Sequence, residues 1–224
     1  MNHSATGAPK RLDTLREQVL RMGHLSEAIL QKSLKSVWRR DASLAAEVAP
    51  DDLEIDKLDV DIDQGVLEYL ALHAPVAHDL RQVIAIKMAA TDLERVGDLA
   101  RNIAKSAARL CDRPKVEPPA ILATLASDSQ RLLRSAILAF ADCDSAAGRE
   151  VLAADDKIDH DEDRAIRASI EEIQNNPSTT QQEIDHIFIA QSLERVGDHA
   201  TNIAEDVVLV AESLNLKHAE KLSQ

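Results

Sequence analysis

The sequence predicts an all-α protein of two tandem three-helix bundles, with six long helices related by an internal duplication. Only 2% of the 224 residues are aromatic although 45% are hydrophobic, so the core must consist of aliphatic side chains and alanine, which is typical of helix bundles. Six Gly and seven Pro are too few for the turns of an all-β fold. A twelve-residue motif that occurs once in each half indicates the duplication.

Apolar residues that recur every three or four positions predict three helices in the first half. The first covers about 12–40, the second about 42–74 and the third about 76–111. Pro75 separates the second helix from the third, because proline interrupts helical hydrogen bonding.

The Pro-rich, charged segment 112–119 ends the third helix and forms the predicted linker. A fourth helix follows it, a fifth covers about 148–174, and a sixth runs to about Leu214. We therefore expect one bundle at residues 10–112 and a second at residues 119–216.

The duplication is visible in the sequence itself. Residues 93–104 read Leu-Glu-Arg-Val-Gly-Asp-Leu-Ala-Arg-Asn-Ile-Ala, and residues 193–204 repeat ten of these twelve. A weaker match precedes each copy, since the pattern Asp-x-x-Ile-Asp occurs at 52–56 and again at 155–159. Each half therefore carries one acidic pattern on its middle helix and one on its last helix.

Helix geometry predicts that these acidic residues meet. In antiparallel helices joined by a tight turn, residues equally far from the turn lie at the same height. One turn centre falls at Pro75 and the other between Asn176 and Pro177. The predicted level pairs are Asp56 with Glu94, Asp52 with Asp98, Asp159 with Glu194, and Asp155 with Asp198. On the second helix, Asp52, Asp56, Asp59 and Asp63 form one strip along the edge of the core face, which we call the Asp52 strip. The sequence does not fix the handedness of the bundle, so it leaves open which side of the third helix this strip borders.

Metal binding is our interpretation of these eight carboxylates. An all-oxygen ligand set without cysteine suits Mg²⁺, Mn²⁺, Ca²⁺ or iron rather than structural zinc. A single Glu-x-x-x-Asp pattern is more often a solvated helix face. Here, however, the like charges four residues apart and the helical glycines, Gly97 and Gly197, are unfavourable features that occur in both copies.

Internal cations offer partial neutralisation of the acids. Arg95 and Arg195 can reach the aspartates three residues further on, and Lys57 and Lys157 flank the Asp56 and Asp159 positions.

Composition excludes several classes of protein. The formal net charge of −13 disfavours nucleic-acid binding, because phosphate neutralisation needs a basic surface. The longest apolar stretch, 83–90, is far shorter than the ~20 residues of a membrane span. Two cysteines without metal-ligand spacing and the lack of a secretory leader pattern indicate a cytoplasmic protein.

The doubled motif, with Asp-x-x-Ile-Asp on the preceding helix, resembles the PhoU family of phosphate-transport accessory proteins. The resemblance covers about residues 10–214 and implies a cytoplasmic, all-helical, often homodimeric regulator without catalysis. It implies two partners, the ATPase subunit of the phosphate ABC transporter and a sensor histidine kinase, through which any membrane association would occur. It also implies metal ligands at Glu94, Asp98, Glu194 and Asp198, with Asp52, Asp56, Asp155 and Asp159 contributing from the middle helices.

Two alternatives stay open at this stage. A metal-storage bundle would hold the same ions without partners. A carboxylate-bridged di-metal enzyme would need two Glu-x-x-His motifs in one bundle, and the sequence has only Glu183-x-x-His186. No phosphate loop, nucleophile elbow or Ser-His-Asp pattern is present, so we predict that the protein is not an enzyme.

Overall fold

The computed structural model describes residues 8–214 and 216, and these residues form helices without strands. The elements in chain order are α1 (Ala8–Arg39), α2 (Ala42–His73), α3 (Ala77–Cys111), α4 (Ala120–Asp142), α5 (Ser145–Ala153), α6 (Asp155–Asn175), a 3₁₀ turn (Pro177–Thr179) and α7 (Thr180–Glu212). The all-α prediction is confirmed. None of the helices in this part of the chain combines the length and the apolar character that crossing a bilayer requires.

The turn between α2 and α3 is centred on Pro75, as the sequence predicts. Ala74 ends α2 in the left-handed conformation with φ of 43°, and its N–H donates to the Leu70 carbonyl. This closure makes α2 and α3 an antiparallel pair of similar length.

The predicted fifth helix, 148–174, is wrong as a single element, because the structure divides it into α5 and α6. The Ala154 N–H donates to the Val151 carbonyl at 3.1 Å, which closes α5 with a tight turn. Asp155 and Asp156 then occupy the first turn of α6, where carboxylates interact favourably with the helix dipole. α5 also begins earlier than predicted, since the Asp144 side chain caps its N-terminus.

The two repeats pack against each other mainly through α3 and α7, with a further contact between α1 and α4. α3 and α7 are antiparallel. Asp92, in the middle of α3, accepts hydrogen bonds across this interface from His199 at 2.8 Å and Asn202 at 3.1 Å. Near the C-terminus of α3, Arg109 and Arg113 both pair with the buried Asp185 near the start of α7.

Buried aliphatic side chains from both repeats form one continuous hydrophobic core. The segment without helix, 112–119, lies where the linker was expected. The boundaries 10–112 and 119–216 stay a prediction as folding units, and residue 215 lies outside the described residues.

Candidate functional site: two carboxylate clusters

Each repeat brings its four predicted acids to the line of contact between its middle and last helices. We call Asp52, Asp56, Glu94 and Asp98, on α2 and α3, the first cluster. We call Asp155, Asp159, Glu194 and Asp198, on α6 and α7, the second cluster. Glu94 on α3 lies close enough to Asp56 on α2 for the two negative charges to interact. Asp155 on α6 and Asp198 on α7 interact in the same way. The Asp52 strip therefore borders the Glu94 side of α3, which settles the handedness that the sequence left open.

The motif glycines allow this close approach of the helices. A Cβ atom on Gly97 would overlap Asp52 Oδ1, and one on Gly197 would lie 3.0 Å from Ile158 Cγ2. The overlap at Gly97 favours a residue without a side chain, although glycine costs about 1 kcal/mol relative to alanine inside a helix, whereas the contact at Gly197 is only tight.

The first cluster contains its own cation, Arg101. Its Nη1 donates to Asp52 Oδ2 at 2.8 Å and to Asp98 Oδ1 at 3.2 Å. Arg95 also donates to Asp98, at 3.2 Å, as predicted. The Asp52 side chain is only 2% exposed. Burial raises the pKa of the Asp52 carboxyl, and the hydrogen bond from Arg101 opposes that rise.

The second cluster lacks the corresponding cation, because Thr201 replaces Arg101 in the motif. The Thr201 hydroxyl donates to the backbone carbonyl of Asp198 rather than to a carboxylate. Asp155, Asp159 and Asp198 each offer one oxygen, and these three oxygens lie within 4.8 Å of one another. In the described part of the chain no arginine or lysine forms an ion pair with these three aspartates.

The predicted neutralisation by Lys157 is wrong. Its ammonium group forms ion pairs with Asp128 and with Asp161, the latter at 3.0 Å, rather than with Asp159. The reason lies in helix geometry, since Asp161 is one turn further along the same face as Lys157.

Burial and crowded negative charge both raise the pKa values of carboxyl groups in the second cluster. Burial, then the charges of Asp159 and Asp198, raise the pKa of Asp155 to about 6. Burial, then the charge of Asp198, raise the pKa of Glu194 to about 7. One oxygen of Asp155 is buried without a hydrogen-bond donor. A bound cation would relieve both the repulsion and the missing hydrogen bond.

The predicted ligand set left out three residues of these clusters, although Asp59 was already placed on the Asp52 strip. Arg101 was overlooked, although the two copies of the motif differ at only two positions and the replacement of Arg101 by Thr201 is one of them. Asp59 and Glu162 contribute charge beside Glu94 and Glu194 respectively. They occupy equivalent positions one turn beyond Asp56 and Asp159, so the repeat itself was the signal that could have identified them.

The only Glu-x-x-His motif of the sequence lies away from both clusters. Glu183 and His186 are buried near the start of α7, where they contact each other at 3.1 Å. No second such pair joins them among residues 8–214, so the geometry does not support a di-iron-type centre.

Comparison with known proteins identifies the family. Residues 19–107 and 122–207 each match the family model described as the PhoU domain, and each match contains one carboxylate cluster. The chain belongs to the PhoU family. Its PhoU relatives include a phosphate-specific transport system accessory protein PhoU homolog from Xylella fastidiosa strain 9a5c. That protein is 32% identical over 208 residues, which cover 93% of this chain and 88% of the relative.

Solved structures of PhoU proteins agree with the fold. The crystal structure of PhoU from Pseudomonas aeruginosa superposes with a TM-score of 0.89 at 30% identity, over 92% of this chain and 99% of that one. The PhoU structure from Streptococcus pneumoniae, described as a phosphate transport system regulatory protein, gives a TM-score of 0.87 at 24% identity. It covers 93% of this chain and 99% of that one, and shows the shared fold.

Proposed function

We propose that this protein is a regulatory adaptor of phosphate uptake. In this proposal it binds the ATPase subunit of a phosphate ABC transporter and a sensor histidine kinase, restraining uptake and silencing starvation signalling when phosphate is plentiful. Membership of the PhoU family carries the proposal, since relatives are named as accessory proteins of phosphate-specific transport. We propose that it works in the cytoplasm as a homodimer and reaches the inner membrane only through these partners.

We further propose that the carboxylate clusters bind cations with unequal strength. The observation that carries this is the trio of Asp155, Asp159 and Asp198 oxygens within 4.8 Å, which the more distant charges of His199 and Arg195 offset only in part. Hard ions such as Mg²⁺, Mn²⁺, Ca²⁺ or iron match this all-oxygen set, with Glu194 as the fourth carboxylate. The first cluster is the weaker site, because Arg101 must withdraw before an ion can approach Asp52 and Asp98.

A cation in the second cluster would join α6 to α7, because its ligands come from both helices. Such a link would fix the angle between two surface helices and so define the shape presented to a partner. The adaptor role would then depend on metal, whereas a storage protein would bind metal without any effect on partners.

Paired substitutions test the cation sites. We expect Asp155→Asn with Asp198→Asn to weaken Mn²⁺ binding at least about tenfold, measured by calorimetry, because two of the clustered charges are lost. The matched control, Asp52→Asn with Asp98→Asn, should retain most of the binding. Equal losses in the two pairs would contradict the assignment of the stronger site, and no loss in either would contradict cation binding at the clusters.

Pull-down experiments test the adaptor role. The purified protein is mixed with the transporter ATPase or with the cytoplasmic part of the kinase, with and without a chelator. We expect capture of both, and weaker capture with the chelator. Capture that ignores the chelator would separate metal binding from the adaptor role, while failure to capture either protein would favour metal storage.

A further inference from the structure

The outward face of α2 carries an apolar stripe. Leu53, Val60 and Leu67 follow one another at intervals of seven residues, about two helical turns, and therefore lie along one line. Their exposed fractions are 56%, 66% and 62%. Single exposed aliphatic residues are common, but three in register along one helix resemble the seam that receives a second helix. We call these three residues the α2 stripe.

The fold does not need this stripe, as the second repeat demonstrates. Counting from the equivalent residues Asp52 and Asp155, the three stripe positions correspond to Asp156, Asp163 and Ile170 of α6. The inward positions agree between the repeats, since Ile55 and its counterpart Ile158 are both buried. The same helix thus keeps its core face in both copies, while only the first copy places three apolar residues outward.

The charge around the stripe indicates what can cover it. α2 carries nine carboxylates and a single lysine. Among the described residues, five cations of α1 and α3 form ion pairs with seven of these carboxylates, as Arg21 does with Glu54 and Lys87 with Asp59. The carboxylates still outnumber the cations around α2, so the helix keeps an excess of negative charge. A second copy docking through the same stripe would bring two acidic margins together, and an anionic lipid surface would be repelled in the same way.

We propose that the α2 stripe docks an amphipathic helix of another protein, with leucine-like residues every three or four positions and lysine or arginine on both flanks. The apolar side chains of that helix would pack on Leu53, Val60 and Leu67, and its basic flanks would meet the carboxylates of α2. This inference rests on the adaptor proposal only for its biological role. The surface itself can be tested without the transporter or the kinase.

The probe is a synthetic helix of about 21 residues, with Leu at the a and d heptad positions and Lys at all others. Binding is measured by fluorescence anisotropy at about 0.15 M salt. We expect the double substitution Leu53→Asp with Val60→Asp, which gives α2 the residues found at 156 and 163, to weaken binding at least about tenfold.

The control variant carries Leu138→Asp with Ile170→Asp, an equal charge change at exposed positions outside the stripe. It should bind as tightly as the unchanged protein. The sign of the effect is diagnostic, because purely electrostatic attraction to the Lys-rich peptide would make both acidic variants bind more tightly.

Three results would overturn the proposal: equal binding by the two variants, equal binding of a peptide with Glu in place of Lys, or a dimer in solution that dissociates only in the Leu53→Asp, Val60→Asp variant. The last result would assign the stripe to a second copy. Circular dichroism verifies that each variant is folded. Peptide docking without capture of transporter or kinase would refute the adaptor proposal alone.

Discussion

Replacing Arg101 by threonine, the residue at the equivalent position 201, tests whether the first cluster is neutralised from within. The substitution leaves the Asp52 carboxylate, 2% exposed, without its hydrogen bond of 2.8 Å and close to Asp56 and Asp98. Breaking a buried ion pair costs ~3–5 kcal/mol. Because Arg101 is 34% exposed and Asp52 can take up a proton, we expect about 2–3 kcal/mol, which lowers the Tm by roughly 4–12 °C.

Urea unfolding followed by far-UV circular dichroism measures this loss, first in EDTA and then with excess Mn²⁺. We expect Mn²⁺ to restore part of the stability of Arg101→Thr, since the ion can occupy the space that the guanidinium leaves beside the first cluster. Asp52→Asn in the same chain should also restore stability, because it removes the unpaired buried charge.

A matched control separates this effect from the loss of any surface ion pair. Arg134 donates to Glu27 at 2.7 Å, but its side chain is 68% exposed, so Arg134→Thr should cost less than about 1 kcal/mol. If Arg101→Thr in EDTA loses no more stability than Arg134→Thr, the internal counterion is not what stabilises the first cluster. If Mn²⁺ has no effect, the first cluster is not a latent cation site.

Three further predictions concern the second cluster and the motif glycines. Thr201→Arg should place a guanidinium on the second cluster, which would stabilise the protein in EDTA and weaken Mn²⁺ binding at least about tenfold. Calorimetry measures the affinity for Mn²⁺, and an unchanged affinity would contradict the prediction. In urea unfolding, Gly97→Ala should destabilise the protein by about 1–3 kcal/mol, because the new Cβ would overlap the Asp52 carboxylate. Gly197→Ala should be nearly neutral, because a gain of ~1 kcal/mol in helix propensity offsets a contact at 3.0 Å with a methyl group. The folded state disfavours the charged forms of Asp155 and Glu194, which raises their pKa values to about 6 and about 7. Stability in EDTA should therefore be highest while both groups are protonated and should fall as pH rises through these values. Because both side chains are partly exposed, we expect a loss of only about 1 kcal/mol. Asp155→Asn with Glu194→Gln should flatten the profile, and an unchanged slope in that variant would assign the pH dependence elsewhere.

The level pairing of the acids could be predicted because it depends on local quantities. The rise per residue and the position of a turn residue such as Pro75 determine which residues of two antiparallel helices face each other. The handedness of the bundle could not be predicted in this way, because it depends on how α1 packs against both helices. The break at Ala154 was also missed, since no proline or glycine marks it and two consecutive aspartates favour a new helix start only weakly.

The partners of the charged side chains were the least predictable part of the site. A lysine or arginine can reach several acids, and tertiary packing decides which one it contacts, as Lys157 demonstrates by pairing with Asp128 of another helix. Arg101 was detectable in principle, because duplicated sequences reveal function through their differences as well as their identities. Asp185, which is buried where the two repeats meet, gave no signal, since nothing in the sequence predicts that α3 and α7 are neighbours.

The difference between Arg101 and Thr201 means that the two halves obtain their charge balance from different sources. In the first half the compensating positive charge belongs to the Arg101 side chain, so it is present as soon as the chain folds. In the other half, the cation binding proposed above would supply the compensation from ions dissolved around the molecule. Since Arg109 and Arg113 join the end of the first repeat to Asp185 of α7, a cation bound to the second cluster, as proposed above, would act on a helix that is anchored to the first repeat.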